Sequence, residues 1–385
     1  MFSLRRFLIF TSVLLALTIA LVACGDDDDD DDNGDNGTGD APTATSSNGD
    51  ENGDDDGDSD SVDFEGTVTF GDYGWDSAFV HNRIAQYILQ HGWGIESDSI
   101  AGETITLFQG LVNRDIDVSM EIWVEQQPEF ESEVEAGTIL DLGPNYPESV
   151  QGWYVPTYMI EGDEERGIEP MVDGPLSIED LKSPEMVELF QDPEDPSVGR
   201  FYDCIAGWEC QRVNESKFEF YELDEYYNRF QPGSGAALAT SLVSAYNNGE
   251  PWLGYYWAPT WVFAVVDLTM IEEPEYTDEC WEQIQDEEGN PTGEAGCEYP
   301  SVRVNKSVNA EFAEEAPQEV LDFLEAYTTT MDENNAFLLY MNDNEITEHE
   351  VAAIWYLQNN PQWQDWVPED VAEAVQAQLD TETIP

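Results

Sequence analysis

Tryptophan is the residue whose placement in this chain most needs a chemical explanation. Twelve tryptophans stand against only twelve lysines and arginines together in 385 residues. Several fall in two telling segments, Cys204-Ile-Ala-Gly-Trp208-Glu-Cys210 and Glu250-Pro-Trp-Leu-Gly-Tyr-Tyr-Trp257-Ala-Pro-Thr-Trp261. An indole face attracts a cation through its quadrupole and needs no hydrogen bond from it. Indoles in Gly- and Pro-bearing segments, where loops reach a pocket, therefore point to a cage for an onium group with no N–H to donate. For any one tryptophan, core packing is the plainer role, and it suits Trp252 and Trp261 as well as Trp281, Trp355, Trp363 and Trp366. It suits Trp208 least, because that residue sits between two close cysteines beside a glycine.

Other chemistries find little support. No Gly-x-Ser-x-Gly, His-Glu-x-x-His or phosphate-binding loop occurs, so neither an enzyme nor a cofactor is expected. With 84 acidic residues, close pairs such as Glu121 and Glu125 arise by chance. An exported carbohydrate-active hydrolase with an aromatic cleft is the rival from another class. Zinc is disfavoured, because CxxC spacing is absent and His81, His91 and His349 are scattered. Cys204, Cys210, Cys280 and Cys297 make an even set suited to an oxidising compartment, and proximity favours Cys204–Cys210 and Cys280–Cys297 as disulfides. Asn52, Asp54, Asp56, Gly57 and Asp63 match a calcium-loop spacing, but Asp/Gly-rich tracts produce such matches freely.

Charge bounds the partners and the setting. The formal net charge is −72, with Lys182, Lys217 and Lys306 the only lysines. No basic patch exists to neutralise phosphates, which excludes nucleic acid. Acidity at this density favours strong salt, where screening relieves self-repulsion, and implies a halophilic environment. Residues 1–24 read as a lipoprotein signal peptide: Arg5-Arg6, an apolar run, then Leu-Val-Ala-Cys24, with Cys24 lipidated after cleavage. Residues 25–62 hold almost nothing to bury and read as a disordered acidic tether. The protein is thus expected to be extracytoplasmic and lipid-anchored to the cell membrane.

The elements that must position the indoles form an α/β pattern. Gly66–Phe70 reads as a strand, Ser77–His91 as a helix, Gly94–Ile100 as a strand, Thr104–Asn113 as a helix and Asp117–Trp123 as a strand. In such sheets ligands lie beyond the carboxyl ends of strands, where Trp75 and Trp123 fall. Gly152–Ile160 reads as a crossing to a second lobe, and Ser301–Asn305 as the return strand. Helices follow at Pro317–Tyr327, Asn334–Asn342, Thr347–Asn359 and Pro368–Leu379. Residues 66–155 with 304–385 form one expected lobe, and 156–303 the other.

The succession Glu121-Ile-Trp123, Gly152-Trp-Tyr, Cys204-x3-Trp208-x-Cys210, Tyr255-Tyr-Trp257-x-Pro-x-Trp261 and Val304-Asn-Lys306 resembles the substrate-binding proteins of ABC-type glycine betaine/proline betaine transporters. The resemblance spans most of residues 66–380 and implies a two-lobed, periplasmic-binding-protein-like (type II) fold with the ligand between lobes. It implies an indole box of Trp123, Trp208 and Trp257 around a quaternary ammonium. It also implies a carboxylate contact through the N–H groups of Glu209 and Cys210. Gln127 stands where the family places a histidine that assists this contact, and a glutamine amide donates without positive charge. Trp75 and Trp153 are further aromatics near the implied cleft. The function implied is capture of glycine betaine, or a related osmolyte such as choline, carnitine or a sulfonium compound. Delivery would be to an ABC permease driven by its ATPase subunits, for osmoprotective uptake.

Overall fold

The computed structural model describes residues 64, 66–286 and 289–385. The expected signal segment, Cys24, the acidic tether and the calcium-like spacing at 52–63 lie outside the described residues. Among the described residues, two five-stranded sheets organise the chain. The first has the order β2-β1-β3-β10-β4, from β1 (Thr67–Tyr73), β2 (Glu96–Gly102), β3 (Val118–Trp123), β4 (Ile139–Ser149) and β10 (Val302–Asn309). The second has the order β7-β6-β8-β5-β9, from β5 (Gln151–Pro156), β6 (Gly199–Tyr202), β7 (Tyr227–Phe230), β8 (Gly254–Trp257) and β9 (Leu268–Met270).

The opening β-α-β-α-β stretch forms as its periodicity predicts. β1 runs parallel to β2 and β3, joined by helices Asp76–Ile88 and Thr104–Val112. Short parallel strands need such crossovers. Glycine closes the first connection: the helix widens into a π-turn at Leu89–Trp93 and stops at Gly94, whose φ of 70° suits no β-carbon well.

Two features depart from the sequence expectation. The backbone changes sheets at Val150, so β5 lies wholly in the second sheet, between β8 and β9. The run Gly152–Ile160, read as one crossing, is there β5 followed by the short helix Tyr158–Glu161, with Gly152 opposite Tyr256 and Trp153 opposite Tyr255. The second is β4, which the strand reading left out and which holds Gly143, Pro144 and Pro147. It is an edge strand, where proline costs no ladder bond on the solvent side, and it follows β10 through three register shifts.

Two cores follow from this layout. In the first lobe Val80, Ile84 and Ile88 pack with Phe337, Tyr356, Trp363 and Trp366, so the C-terminal helices complete the lobe that the N-terminal strands begin. The second core joins Trp153, Phe201, Phe218 and Tyr256 to Tyr73, Trp75, Phe108 and Ile122 of the first lobe. Apolar surface is therefore continuous across the gap between the lobes, which is where the functional residues gather.

Candidate functional site

Strand geometry delivers the first-lobe residues. Side chains alternate along β3, so Ser119, Glu121 and Trp123 share one face while Val118 and Met120 enter the first-lobe core. Ser119 meets the Tyr73 hydroxyl at 2.9 Å. Trp75 follows β1 and caps the helix Asp76–Ile88 with extended backbone, φ −140° and ψ 154°. Its Nε1 donates to Glu121 Oε2 at 2.7 Å, which fixes the plane of the ring.

The second lobe supplies the opposing wall. Cys204 and Cys210 are joined in a disulfide, as are Cys280 and Cys297. Inside the first ring Gly207 has φ 92°, and a β-carbon there would meet Glu103 at 2.9 Å. Only glycine suits both the backbone and the space. That turn presents Trp208 as the N-cap of the helix Glu209–Phe220. The first N–H groups of a helix have no intrahelical acceptor, so those of Glu209 and Cys210 form an anion-attracting end beside the indole. Trp257 arrives from the end of β8.

These pieces meet around one cavity. It is lined by Tyr73, Trp75, Thr104, Phe108, Glu121, Ile122, Trp123, Gln126, Gln127, Trp208, Glu209, Cys210, Tyr255 and Trp257, and encloses about 490 Å³ including its mouth. Trp75 and Trp208 stand 5.0 Å apart between ring centroids at 73°, and Trp208 and Trp257 stand 5.1 Å apart at 82°. Near-perpendicular indoles make the walls of a box. Tyr255 stacks behind Trp257 at 6.1 Å. Trp75 and Trp257 also wall a second, outer cavity with Phe79, Pro259 and Trp261.

Of the residues singled out in the sequence, Trp75, Trp123, Gln127, Trp208, Glu209, Cys210 and Trp257 line this cavity. Trp153 does not. It is fully buried in the second lobe against Phe201 and Phe218, with Nε1 donating to Asn214 at 2.7 Å. Position in β5 explains this: Tyr255 lies opposite Trp153, yet the large ring faces the helix Glu209–Phe220.

Sequence reasoning missed three lining residues with polar roles. Gln126 is buried, and among the described residues its Nε2 has no hydrogen-bond partner, so a donor is free toward the cavity. Tyr73 closes one corner, its hydroxyl pushed up to about 12 by burial. Glu121 was set aside as one acid among many; its two-residue offset from Trp123 on a strand was the available signal.

The electrostatics of the lining are one-sided. Among the described residues, Glu121 and Glu209 are the only acidic or basic side chains that line it. Burial pushes the Glu121 carboxyl up to about 7, partly opposed by the Trp75 hydrogen bond. Burial likewise pushes Glu209 up to about 7, opposed by Arg212 at 3.6 Å. No metal is needed for any of this, and among the described residues no cluster of three His, Cys, Asp or Glu side chains suits one.

Comparison with known proteins follows this geometry. The profile of a family described as the substrate-binding domain of the ABC-type glycine betaine transport system matches residues 66–358. The glycine betaine/proline betaine-binding periplasmic protein of Salmonella typhimurium is 22% identical over 202 residues, 51% of this chain and 60% of that protein. This chain thus matches about 60% of the length of its curated relative. Among solved structures, the glycine betaine/L-proline-binding protein of Borrelia burgdorferi superposes with a TM-score of 0.61 at 20% identity, covering 80% of this chain and 100% of that one. A choline-binding protein of an ABC transporter, in complex with choline, gives 0.61 at 19% identity, covering 81% and 98%. At such identities the likeness establishes the fold, a two-lobed periplasmic-binding-protein fold of mixed α/β type.

Proposed function

Since the chain belongs to the family of substrate-binding domains of ABC-type glycine betaine transport systems, we propose that it captures a quaternary ammonium osmolyte, glycine betaine first among them, for uptake. Trp75, Trp123, Trp208 and Trp257 surround the trimethylammonium head in this reading. The N–H groups of Glu209 and Cys210, with the amides of Gln126 and Gln127, receive the carboxylate. The protein rides on the outer face of the membrane through lipidated Cys24 and a tether of residues 25–62. It delivers its ligand to an ABC permease served by ATPase subunits. In this reading residues 66–155 with 304–385 make one lobe and 156–303 the other.

The observation that carries this reading is the near-perpendicular packing of Trp75, Trp208 and Trp257 around one cavity. Each desolvated cation–π contact contributes up to about 2 kcal/mol. Three such faces with two or three hydrogen bonds support binding near about −8 kcal/mol, or roughly micromolar. A carboxylate held by neutral donors suits a surface that already repels anions. Calorimetry with glycine betaine, proline betaine, carnitine and choline in strong salt tests the reading: saturable binding of at least one is expected, and binding of sugars alone would refute it.

Choline is the second reading. What favours it is the charge of the lining, two carboxylates and no cationic side chain. Gln127 stands where the resemblance places a histidine, so the carboxylate of a betaine finds less help here. A higher affinity for choline than for glycine betaine in the same panel would decide for it.

A further inference from the structure

Glu121 stands apart among the buried acids of the molecule. Glu273 meets Lys217 at 2.7 Å, Asp203 meets Arg229 at 3.2 Å, and Glu209 meets Arg212 at 3.6 Å. Glu121, 1% exposed, has His81 alone as a possible ionic partner among the described residues, Nε2 to Oε1 at 3.5 Å. Burial holds that imidazole neutral, its pKa pushed down to about 3, and its Nδ1 pairs with the Tyr327 hydroxyl at 2.7 Å. The bonds that Glu121 Oε2 accepts come from neutral donors, Trp75 Nε1 at 2.7 Å and the Tyr146 hydroxyl at 3.2 Å. The same carboxyl lines the cavity beside Ile122 and Trp123.

Resting on the capture function proposed above, we infer that Glu121 is the specificity-determining residue of the cage, supplying the formal negative charge for the onium group and holding Trp75 as its fourth wall. Indole faces carry no net charge, so by themselves they discriminate a cation from an apolar isostere only through the quadrupole. A carboxylate behind them in a medium of low dielectric adds a Coulombic attraction that water would otherwise quench. The ammonium in turn is the counter-ion that no nearby side chain provides. An unpaired buried carboxylate is unfavourable in the empty protein, and the ligand relieves that condition. Binding and ionisation of Glu121 are therefore linked.

Of the groups packed against this carboxyl none besides it titrates near neutral pH, while the more remote Lys306 is pushed down to about 8 by burial. From β1 comes Tyr73, and from the helix Asp76–Ile88 come Ser77 and His81. β4 brings Tyr146, and Tyr327 lies behind His81, with Lys306 and Glu333 more remote. The tyrosines are all raised by burial, His81 is lowered, and the Glu121 carboxyl stands at about 7. Glu209 also stands at about 7, so the variant and not the profile alone must assign the effect.

The test is calorimetry of choline and glycine betaine across pH 5.5 to 8.5, about neutral in range, with the full chain and with Glu121→Gln and Trp75→Phe. In the unaltered protein the affinity should fall as pH drops below about 7, by up to about tenfold per unit. Glu121→Gln keeps an acceptor for Trp75 and should bind about tenfold more weakly above neutral pH, with the slope gone. Trp75→Phe removes the bond but not the charge, so a loss of affinity with the slope retained is expected. Unaltered affinity in Glu121→Gln, or a persisting slope there, would overturn the inference; so would a slope lost in Trp75→Phe. A pH-independent but tight unaltered protein would overturn the role of Glu121 alone. Failure of the unaltered protein to bind either compound would overturn the capture function itself.

Discussion

Lys217 and the proposed indole cage are two answers to one problem, how to keep a cation in a dry interior. The Lys217 ammonium lies 4.7 Å from the Trp153 ring and 4.3 Å from the Tyr299 ring, with Glu273 at 2.7 Å. Aromatic faces and one carboxylate surround a charge that belongs to the chain. In the cleft, Trp75, Trp208 and Trp257 stand with Glu121 in the same combination, and the lining residues contribute no cation. The second lobe carries its cation within the chain. The cleft leaves the cationic role open, which is what a reversible binding site requires.

Breaking the permanent pair should cost the most. Lys217→Met leaves Glu273 buried without its cationic partner, only the Tyr221 hydroxyl still donating to it at 3.0 Å, and such losses run to about 3–5 kcal/mol. Chemical denaturation should read that drop, while the folded fraction keeps its ligand affinity.

Removing the open charge should act in the other direction. The Glu121 carboxyl sits near 4.5 in the unfolded chain and at about 7 when folded. Between those values the folded protein holds a proton that the unfolded chain has released, so stability falls as pH rises through the window. The full contribution is present below about 4.5 and lost above about 7, a difference of about 3 kcal/mol. Glu121→Gln should flatten this slope and raise the melting temperature of the empty protein at pH 8, measured against the unaltered chain. An unchanged slope in the variant would mean that another group controls it.

Trp208→Ala removes one wall and should weaken quaternary ammonium binding by about thirtyfold, near 2 kcal/mol, with a cooperative unfolding transition retained. The smallest effect is expected from Gln127→His. A second donor that gains charge below neutral pH should favour glycine betaine over choline by a few-fold, less than about 1 kcal/mol. Competition between the two ligands would resolve it.

The legible parts of the sequence were those whose signal is local. Helical periodicity located Asp76–Ile88 and the C-terminal helices to within a few residues. Proximity paired Cys204 with Cys210 and Cys280 with Cys297. The family resemblance singled out Trp123, Trp208 and Trp257, and all three line one cavity. What stayed hidden depends on partners distant in the chain. β6 and β7 are four residues each, too short for alternation to show. β4 carries two prolines and exists because β10 pairs with it from residues 302–309. Trp153 was drawn toward the cleft by its neighbours in sequence, whereas Lys217 and Asn214 claim it from a helix sixty residues on. Glu121 was obscured by the abundance of acids on the surface. Only its enclosure by Trp75, His81 and Tyr146 separates it from them.

The contact between Trp75 and Trp208 joins residues from opposite lobes at 5.0 Å. Two indole chromophores that close exchange excitation strongly, and their coupling decays steeply as they part. Any hinge motion that widens the gap must separate them, so the protein carries its own optical ruler. The amplitude of the exciton couplet in the near and far ultraviolet would report lobe separation directly, without an attached dye.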